Sequence, residues 1–483
     1  LRVVDFGNGA KKNVKKRNRF VWIGLGITIF LSFFGIWSNK DIINELRQAE
    51  AMDILNYQVY SAFASMEDKP SLYEEITQAS IDQLKHIDNP DLTTPQYWGQ
   101  AKGKNVILIQ LESFQNFLIN LKLNGQEVTP NLNKLVRESL YFPHFFQQVG
   151  QGNTSDSEFV VNTSLYVPKW DAATMVYSNK QLPSMPKLLA ANGYQTATFH
   201  TNDVRFWNRN NLYQALGWQT YYDDDYFGNS DIVAFGSSDE VLYQKTTDKL
   251  LDMRKSGNPF YVQILSMSGH HPYNLPKRKY NMELPARFEN TLVGNYVRAQ
   301  NYADKALGQF VEKLKDTGIW DNSVVILYGD HLGLPKYTLS TREKDLMKEI
   351  YGREYDVQDM LNIPLMISIP GVSPQIIPTV GGQTDIFPTV SNLLGISMKG
   401  NIHFGQDLLN HSTNLLPERY YLPSGSLITD KGVFVPVDGY DDGISYKFSG
   451  GQAQETAATP KQFDDALQLL RMSDSYVQSL PDR

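Results

Sequence analysis

Four side chains from three separated places in the chain have the types needed for metal-assisted nucleophilic chemistry: Glu112, Thr154 and the neighbours Asp330 and His331. Two carboxylates, an imidazole and a hydroxyl oxygen make a mixed oxygen–nitrogen ligand set. Such a set suits Mn²⁺ or Mg²⁺, with zinc a further option. A threonine hydroxyl held by such an ion becomes a nucleophile. Thr154 stands in Gln151-Gly-Asn-Thr-Ser-Asp-Ser-Glu158, where a glycine-containing loop runs into the apolar residues 159–161. Ser155 and Glu158 have capping-box spacing, so a helix is expected to begin here. The N–H groups and dipole at that helix start favour an anion such as a phosphate. Each residue also has a plainer reading, with Thr154, Ser155 or Glu112 as a helix cap and Asp330-His331 as a turn. The combination favours the metal site.

The surrounding pattern gives these residues a common address. Short apolar runs at 105–111, 195–200, 260–266, 324–328 and 363–369 read as strands of a buried, mostly parallel sheet. Helical stretches at 131–139, 184–192, 301–317 and 385–394 separate them, giving an α/β domain with helices on both faces. In such sheets ligands gather beyond the carboxyl ends of the strands. Glu112, His200, Ser268-Gly269-His270 and Asp330-His331 all fall at or just past such ends. Towards the C-terminus, residues 420–422, 432–435 and 443–448 read as a small antiparallel sheet, and 463–472 as a closing amphipathic helix.

Composition narrows the classes. The chain of 483 residues has a net charge of -7, which gives no sign of nucleic-acid binding, and no cysteine, which excludes disulfides, Cys-ligated zinc and Cys nucleophiles. Residues 20–37 are uncharged and apolar, about the length that spans a bilayer. Lys11, Lys12, Lys15, Lys16, Arg17 and Arg19 precede them, so the positive-inside bias puts the N-terminus in the cytoplasm and everything after Asn39 outside. Residues 41–65 read as helical, and Ser71 with Glu74 as the capping box of a helix running towards His86. Asn89-Pro90 and Thr94-Pro95 then break the pattern, so residues 39–100 read as a helical linker. Its stretch near 60–100 is the expected site of cleavage that would shed the globule.

From about residue 105 onward the chain resembles the lipoteichoic acid synthases, members of the sulfatase and alkaline-phosphatase superfamily. The stretches that carry the resemblance are Leu111-Glu-Ser-Phe-Gln115, Gln151–Glu158, Phe206-Trp-Asn-Arg209, His270-His-Pro-Tyr273, Gly329-Asp-His-Leu-Gly333, Asp385-Ile-Phe-Pro-Thr389 and Phe404-Gly-Gln-Asp-Leu-Leu409. The resemblance implies Glu112, Thr154, Asp330 and His331 as ligands of one Mn²⁺, with Mg²⁺ the alternative, and Thr154 as nucleophile. It implies Trp207, Arg209 and His270 around a glycerol phosphate, with an acidic or amide residue shortly before the Trp; Asn202 and Asp203 both qualify. It further implies phosphatidylglycerol as donor, a glycolipid-anchored polyglycerol-phosphate chain as acceptor, diacylglycerol as co-product, and a role as polymerase or primase in lipoteichoic acid biosynthesis. The membrane segment corresponds to the last of five family helices. On this reading residues 1–19 are a cytoplasmic flank, 20–38 a transmembrane helix and 39–100 an extracellular linker. Residues 101–483 are then a sulfatase-like catalytic domain, with about 401–450 as the antiparallel part.

Arg209 suits a phosphate because its planar fork donates two parallel hydrogen bonds. Trp207 offers a flat apolar wall, and His270 a proton or a phosphate contact. The chain departs from the family in having Asn153 where a Lys precedes the Thr, and Pro335 where a Ser is frequent. A formylglycine sulfatase would need Cys or Ser in place of Thr154. A phosphoethanolamine transferase of the same superfamily and a catalytically weak scaffold are the alternative readings.

Overall fold

The structure is a computed structural model describing residues 7–67, 76–87 and 95–483. The expected capping box at Ser71 and Glu74, Asn89-Pro90 and Thr94 lie outside the described residues.

A nine-stranded sheet forms the centre. Its strands are β1 (Asn105–Leu111), β2 (Leu140–Phe146), β3 (Gln195–His200), β4 (Thr220–Tyr222), β5 (Phe260–Leu265), β6 (Ser323–Gly329), β7 (Asn362–Ser368), β8 (Gln375–Ile376) and β9 (Gly381–Gly382). The order is β8-β2-β7-β6-β1-β5-β3-β4, with β9 also on β2. Every pairing is parallel except those of β7, which runs against both β6 and β2. After β6 the chain stays at the carboxyl edge through residues 330–361 and enters β7 from that edge, so β7 has to run backwards. β2 is a strand that the sequence pattern does not announce, because Pro143 and His144 interrupt its apolar run.

The helices used below are α1 (Gly7–Asn39), α2 (Glu45–Met52), α3 (Ile54–Glu67), α4 (Gln78–Leu84), α5 (Pro130–Glu138), α6 (Thr154–Thr163), α7 (Arg209–Leu216), α8 (Asp239–Arg254), α9 (Leu292–Asp316), α10 (Ile386–Leu394) and α11 (Pro460–Ser479). β1 shows how the sheet divides the core, because successive strand residues face opposite sides. Val106 and Leu108 enter a cluster with residues of α6, α10 and α11, and Ile107 and Ile109 one with residues of α5, α8 and α9. The sheet is therefore covered on both faces, which is why its central strands are buried along nearly their whole length.

The small antiparallel sheet is present, but one expected strand is missing and two, at 416–418 and 426–429, were not expected. It consists of β10 (Leu416–Glu418), β11 (Ser426–Thr429), β12 (Gly432–Val435) and β13 (Ile444–Tyr446). Residues 420–422 form no strand, because Tyr420 takes a left-handed conformation with φ 76° and turns the chain.

α1 contains an apolar stretch, Val21–Asn39, long enough to cross a membrane. The helix expected over 41–65 is two, α2 and α3, separated at Asp53, whose φ is 70°. The start of α2 and the residues before it rest on the globule. Ile43 N donates to Asp438 O at 3.1 Å, and Ser424 N to a Glu45 carboxylate oxygen at 3.0 Å. Past α4, the buried Lys85 donates to Leu415 O at 3.2 Å. The described part of the linker is thus packed against the domain.

Candidate active site

The parallel strands deliver their carboxyl ends to one edge, and the four side chains meet there. Glu112 follows β1, Asp330 and His331 follow β6, and Thr154 opens α6 after the loop leaving β2. The ligand atoms of Glu112, Asp330 and His331 lie within 4.8 Å of one another. Thr154 Oγ1 donates to Glu112 Oε2 at 3.1 Å and lies 3.3 Å from His331 Nε2. His331 Nε2 is 3.3 Å from Glu112 Oε1 and 3.7 Å from Asp330 Oδ1. The close approach of strand ends needs a glycine, since a Cβ on Gly329 would fall 2.1 Å from Phe114 O.

A buried polar layer fixes this cluster from below. Gln110 Nε2 donates to Thr154 O at 3.0 Å and to Asp330 Oδ2 at 3.3 Å. Ser113 N donates to Asp330 Oδ1 at 2.7 Å, and Ser113 Oγ to Glu112 Oε1 at 2.7 Å. Gln383 Nε2 reaches Asp330 O at 2.6 Å and Ser157 Oγ at 3.0 Å. Each buried polar group has its partner, which is what holds such a network in one arrangement.

The capping box expected between Ser155 and Glu158 does not form. Asn153, with φ 45°, occupies the cap position, and Ser155 Oγ donates to Gly152 O at 3.0 Å. Glu158 is taken by other partners: Arg209 Nε donates to it at 2.6 Å and Tyr213 OH at 2.7 Å. The loop is held instead by Asp156, which the sequence did not single out. Its carboxylate accepts from Gly150 N at 3.0 Å, Gly152 N at 2.9 Å and Ala173 N at 2.8 Å. Tyr421 OH adds a hydrogen bond to Asn153 Oδ1.

The donor chemistry fits a divalent cation. His331 Nδ1 faces Leu332 O at 2.8 Å, so that nitrogen carries a proton and Nε2 is the one turned to the carboxylates. Burial would raise Glu112, but the charge and hydrogen bond of His331 hold it well below the usual carboxylate range. Burial, with the Glu112 charge added, pushes Asp330 up against the opposing pull of His331. His331, which burial alone would lower, is raised to about 9 by Asp330 and Glu112. Protons on His331 and Asp330 thus offset negative charge that a cation would neutralise directly. Oxygen ligands with one imidazole suit Mn²⁺ well, and Mg²⁺ less so.

The residues expected around the substrate divide. Arg209 and His270 lie close enough for their charges to act on Glu112 and on the buried His200. His200 is pushed down to about 3, by burial first and then by Arg209, and so stays neutral. His270 is half-buried, with Nδ1 2.6 Å from His271 O and the Phe235 ring edge-on at 4.8 Å. Trp207 is half-buried on the turn Phe206–Asn208, in a left-handed conformation with φ 56°. Arg209, expected to hold a phosphate, is buried. Only 2% of its side chain is exposed, and its Nε is committed to Glu158. Asp203 is paired with Arg205 at 2.5 Å. Asn202 Oδ1 accepts from Asp203 N at 2.8 Å, and among the described residues its amide nitrogen donates no hydrogen bond.

The chain is similar to known proteins. The Sulfatase family profile matches residues 104–396. Lipoteichoic acid synthase 1 of Bacillus subtilis is 32% identical over 489 residues, covering 96% of this chain and 73% of that protein. A lipoteichoic acid synthase of Staphylococcus aureus is 35% identical over 370 residues, covering 74% of this chain and 56% of that protein. The crystal structure of the lipoteichoic acid synthase LtaP from Listeria monocytogenes superposes with a TM-score of 0.79 at 42% identity, over 84% of this chain and 100% of that one.

Proposed function

The chain belongs to the sulfatase family and, within it, to the lipoteichoic acid synthases, and on that premise we propose that it transfers glycerol phosphate from phosphatidylglycerol through Thr154. The observation that carries the proposal is the Thr154 hydroxyl, at the first residue of α6 and within hydrogen-bond distance of Glu112. Glu112, Asp330, His331 and Thr154 Oγ1 would hold one Mn²⁺, with Mg²⁺ the alternative. Bound there, the ion would acidify the threonine hydroxyl and offset charge on the phosphoryl oxygens.

The Thr154 oxygen, relieved of its proton, attacks the phosphorus of the lipid. The bond from phosphorus to the diacylglycerol oxygen breaks, and diacylglycerol leaves with a proton. Glycerol phosphate remains esterified to Thr154. A hydroxyl of the glycolipid-anchored acceptor chain then attacks the same phosphorus, and Thr154 recovers its proton. Arg209 acts from beneath, since a charge that reaches Glu112 also reaches a phosphate beside it. Its pairing with Glu158 fixes it there. His270 borders the opening and can donate to a phosphoryl oxygen. Trp207 walls the glycerol, and Asn202 offers its amide to a glycerol hydroxyl. Asp203, held by Arg205, is the less suited of the two. α1 would cross the membrane with its basic flank in the cytoplasm and the catalytic domain outside.

One feature favours a second headgroup. The carboxylates of Asp203, Asp223 and Asp224 gather within 4.8 Å of one another and would attract an ammonium, as phosphoethanolamine carries. Arg205 already neutralises part of that charge. The test is turnover of labelled phosphatidylglycerol with a lipid acceptor. One diacylglycerol should appear per glycerol phosphate transferred, and a folded Thr154→Ala protein should give neither. Transfer by Thr154→Ala at the normal rate would overturn the mechanism.

A further inference from the structure

Several large apolar side chains are exposed on the globule between the cleft beside the end of α1 and the turn that carries Trp207. Between α2, α3 and the domain lies a cleft of about 880 Å³ whose walls include Lys40, Lys169 and Trp170. Lys40 Nζ sits 4.9 Å from the ring of Trp37, at the end of the apolar stretch of α1. Across the cleft, Lys169 Nζ sits 5.5 Å from the ring of Trp170. Paired Lys and Trp side chains of this kind are suited to the boundary between hydrocarbon and water, where an apolar ring and a charged head are satisfied together. With α1 as a membrane span, Lys40 stands at its outer end, and Trp170 lines the same cleft.

Trp170 is 52% exposed, Met175 54% and Phe206 54%. Met175 belongs to the short helix Ala173–Val176, and the turn Phe206–Asn208 packs against it. Asn208 Nδ2 fixes the two together, donating to Thr174 O at 2.8 Å and to Ser178 Oγ at 3.0 Å. Trp207 and Arg209 follow at once. Exposed large apolar side chains in sequence along one edge mark a contact surface.

We propose that the edge formed by Trp170, Met175 and Phe206 rests in the interfacial layer of the bilayer that holds α1. The partner is a phospholipid surface. Docked this way, the mouth of the site stands at headgroup level, and a lipid phosphate reaches Thr154 without its acyl chains leaving the bilayer. The inference rests on α1 being a membrane span, and the experiment separates the two.

The chain has no cysteine, so a single introduced one is a unique label site. The full chain is reconstituted in vesicles of phosphatidylcholine and phosphatidylglycerol carrying a nitroxide at headgroup depth for the labels at 175 and 376, and deep in the acyl chains for the label at 30, which lies mid-span. A fluorophore is attached in turn to Met175→Cys, Phe30→Cys and Ile376→Cys. Phe30 lies within the apolar stretch of α1, and Ile376 is 64% exposed on β8, which pairs with the first residues of β2 at the opposite edge of the sheet. The label at Met175 should lose most of its emission and the label at Ile376 almost none. If Phe30 is quenched while Met175 matches Ile376, the docking edge is refuted and the membrane span stands. An unquenched Phe30 would refute both.

Discussion

The buried pair between Glu158 and Arg209 allows a substitution cycle that separates holding the fold from handling phosphate. Arg209 Nε and Glu158 Oε1 are 2.6 Å apart, and the side chains are 2% and 1% exposed. Glu158→Gln keeps the shape and an acceptor for Arg209, but it removes the negative charge. Unit charges about 4 Å apart interact by roughly 4 kcal/mol at an effective dielectric near 20. Leaving one partner of a buried pair uncompensated costs about 3–5 kcal/mol. Urea unfolding of Glu158→Gln is therefore expected to show a loss of that size. A buried ion pair gives little net stability, because the cost of taking both charges out of water offsets their attraction. Removing both charges, in Glu158→Gln with Arg209→Gln, should therefore recover most of the loss. The double variant should nonetheless transfer glycerol phosphate far more slowly than wild type, because the positive charge near the phosphate is gone. A Glu158→Gln protein within about 1 kcal/mol of wild type would refute the energetic reasoning, since a broken buried pair costs more. Wild-type turnover by the double variant would refute the role given to Arg209.

Other perturbations test the neighbouring parts. In Gly152→Ala the new Cβ would fall 2.5 Å from Asp156 Oδ1 and 2.7 Å from Ser155 Oγ, so the loop before Thr154 must shift. A displacement near 1 Å can cost about 10²-fold in rate, so kcat should fall at least tenfold while circular dichroism shows an intact fold. Stripping the metal should stop turnover, with Mn²⁺ restoring it at least as well as Mg²⁺. The metal-free His331 is held up to about 9, so an incoming ion has to displace its proton. Affinity should then rise ~tenfold per pH unit from about 7 to 9 and level off above, because deprotonation is no longer required there. Calorimetry in buffers of different ionisation heat should show proton release on Mn²⁺ binding, and none would contradict the ligand assignment.

Much of the site was legible because its residues sit beside strong local signals. Glu112 and Asp330-His331 each follow an apolar run that can only be a buried strand, and a parallel sheet sends such ends to one edge. Thr154 was legible as a helix start, though for an incomplete reason. The capping box failed because Glu158 is claimed by Arg209, 51 residues away, a contact that local spacing does not encode. Asp156 was missed for the same reason: its third donor, Ala173 N, comes from a later turn. The burial of Arg209 was not legible, because its partner Glu158 lies 51 residues away. In the fold, β2 was hidden by Pro143 and His144. The direction of β7 depended on where residues 330–361 leave the chain, which strand composition does not record. The shift from residues 420–422 to β10 turns on the backbone of Tyr420, a residue type that ordinarily favours strands.

The central claim is a covalent intermediate on Thr154, and its most direct test is to trap it. The purified chain, loaded with Mn²⁺, is mixed with phosphatidylglycerol and phosphatidylethanolamine in the absence of an acceptor, quenched in acid and digested. Mass spectrometry of the peptide containing Thr154 should show the added mass of glycerophosphate on that residue, absent from Thr154→Ala. A phosphoethanolamine adduct with no glycerophosphate would overturn the substrate, and turnover with Thr154 never modified would contradict the mechanism itself.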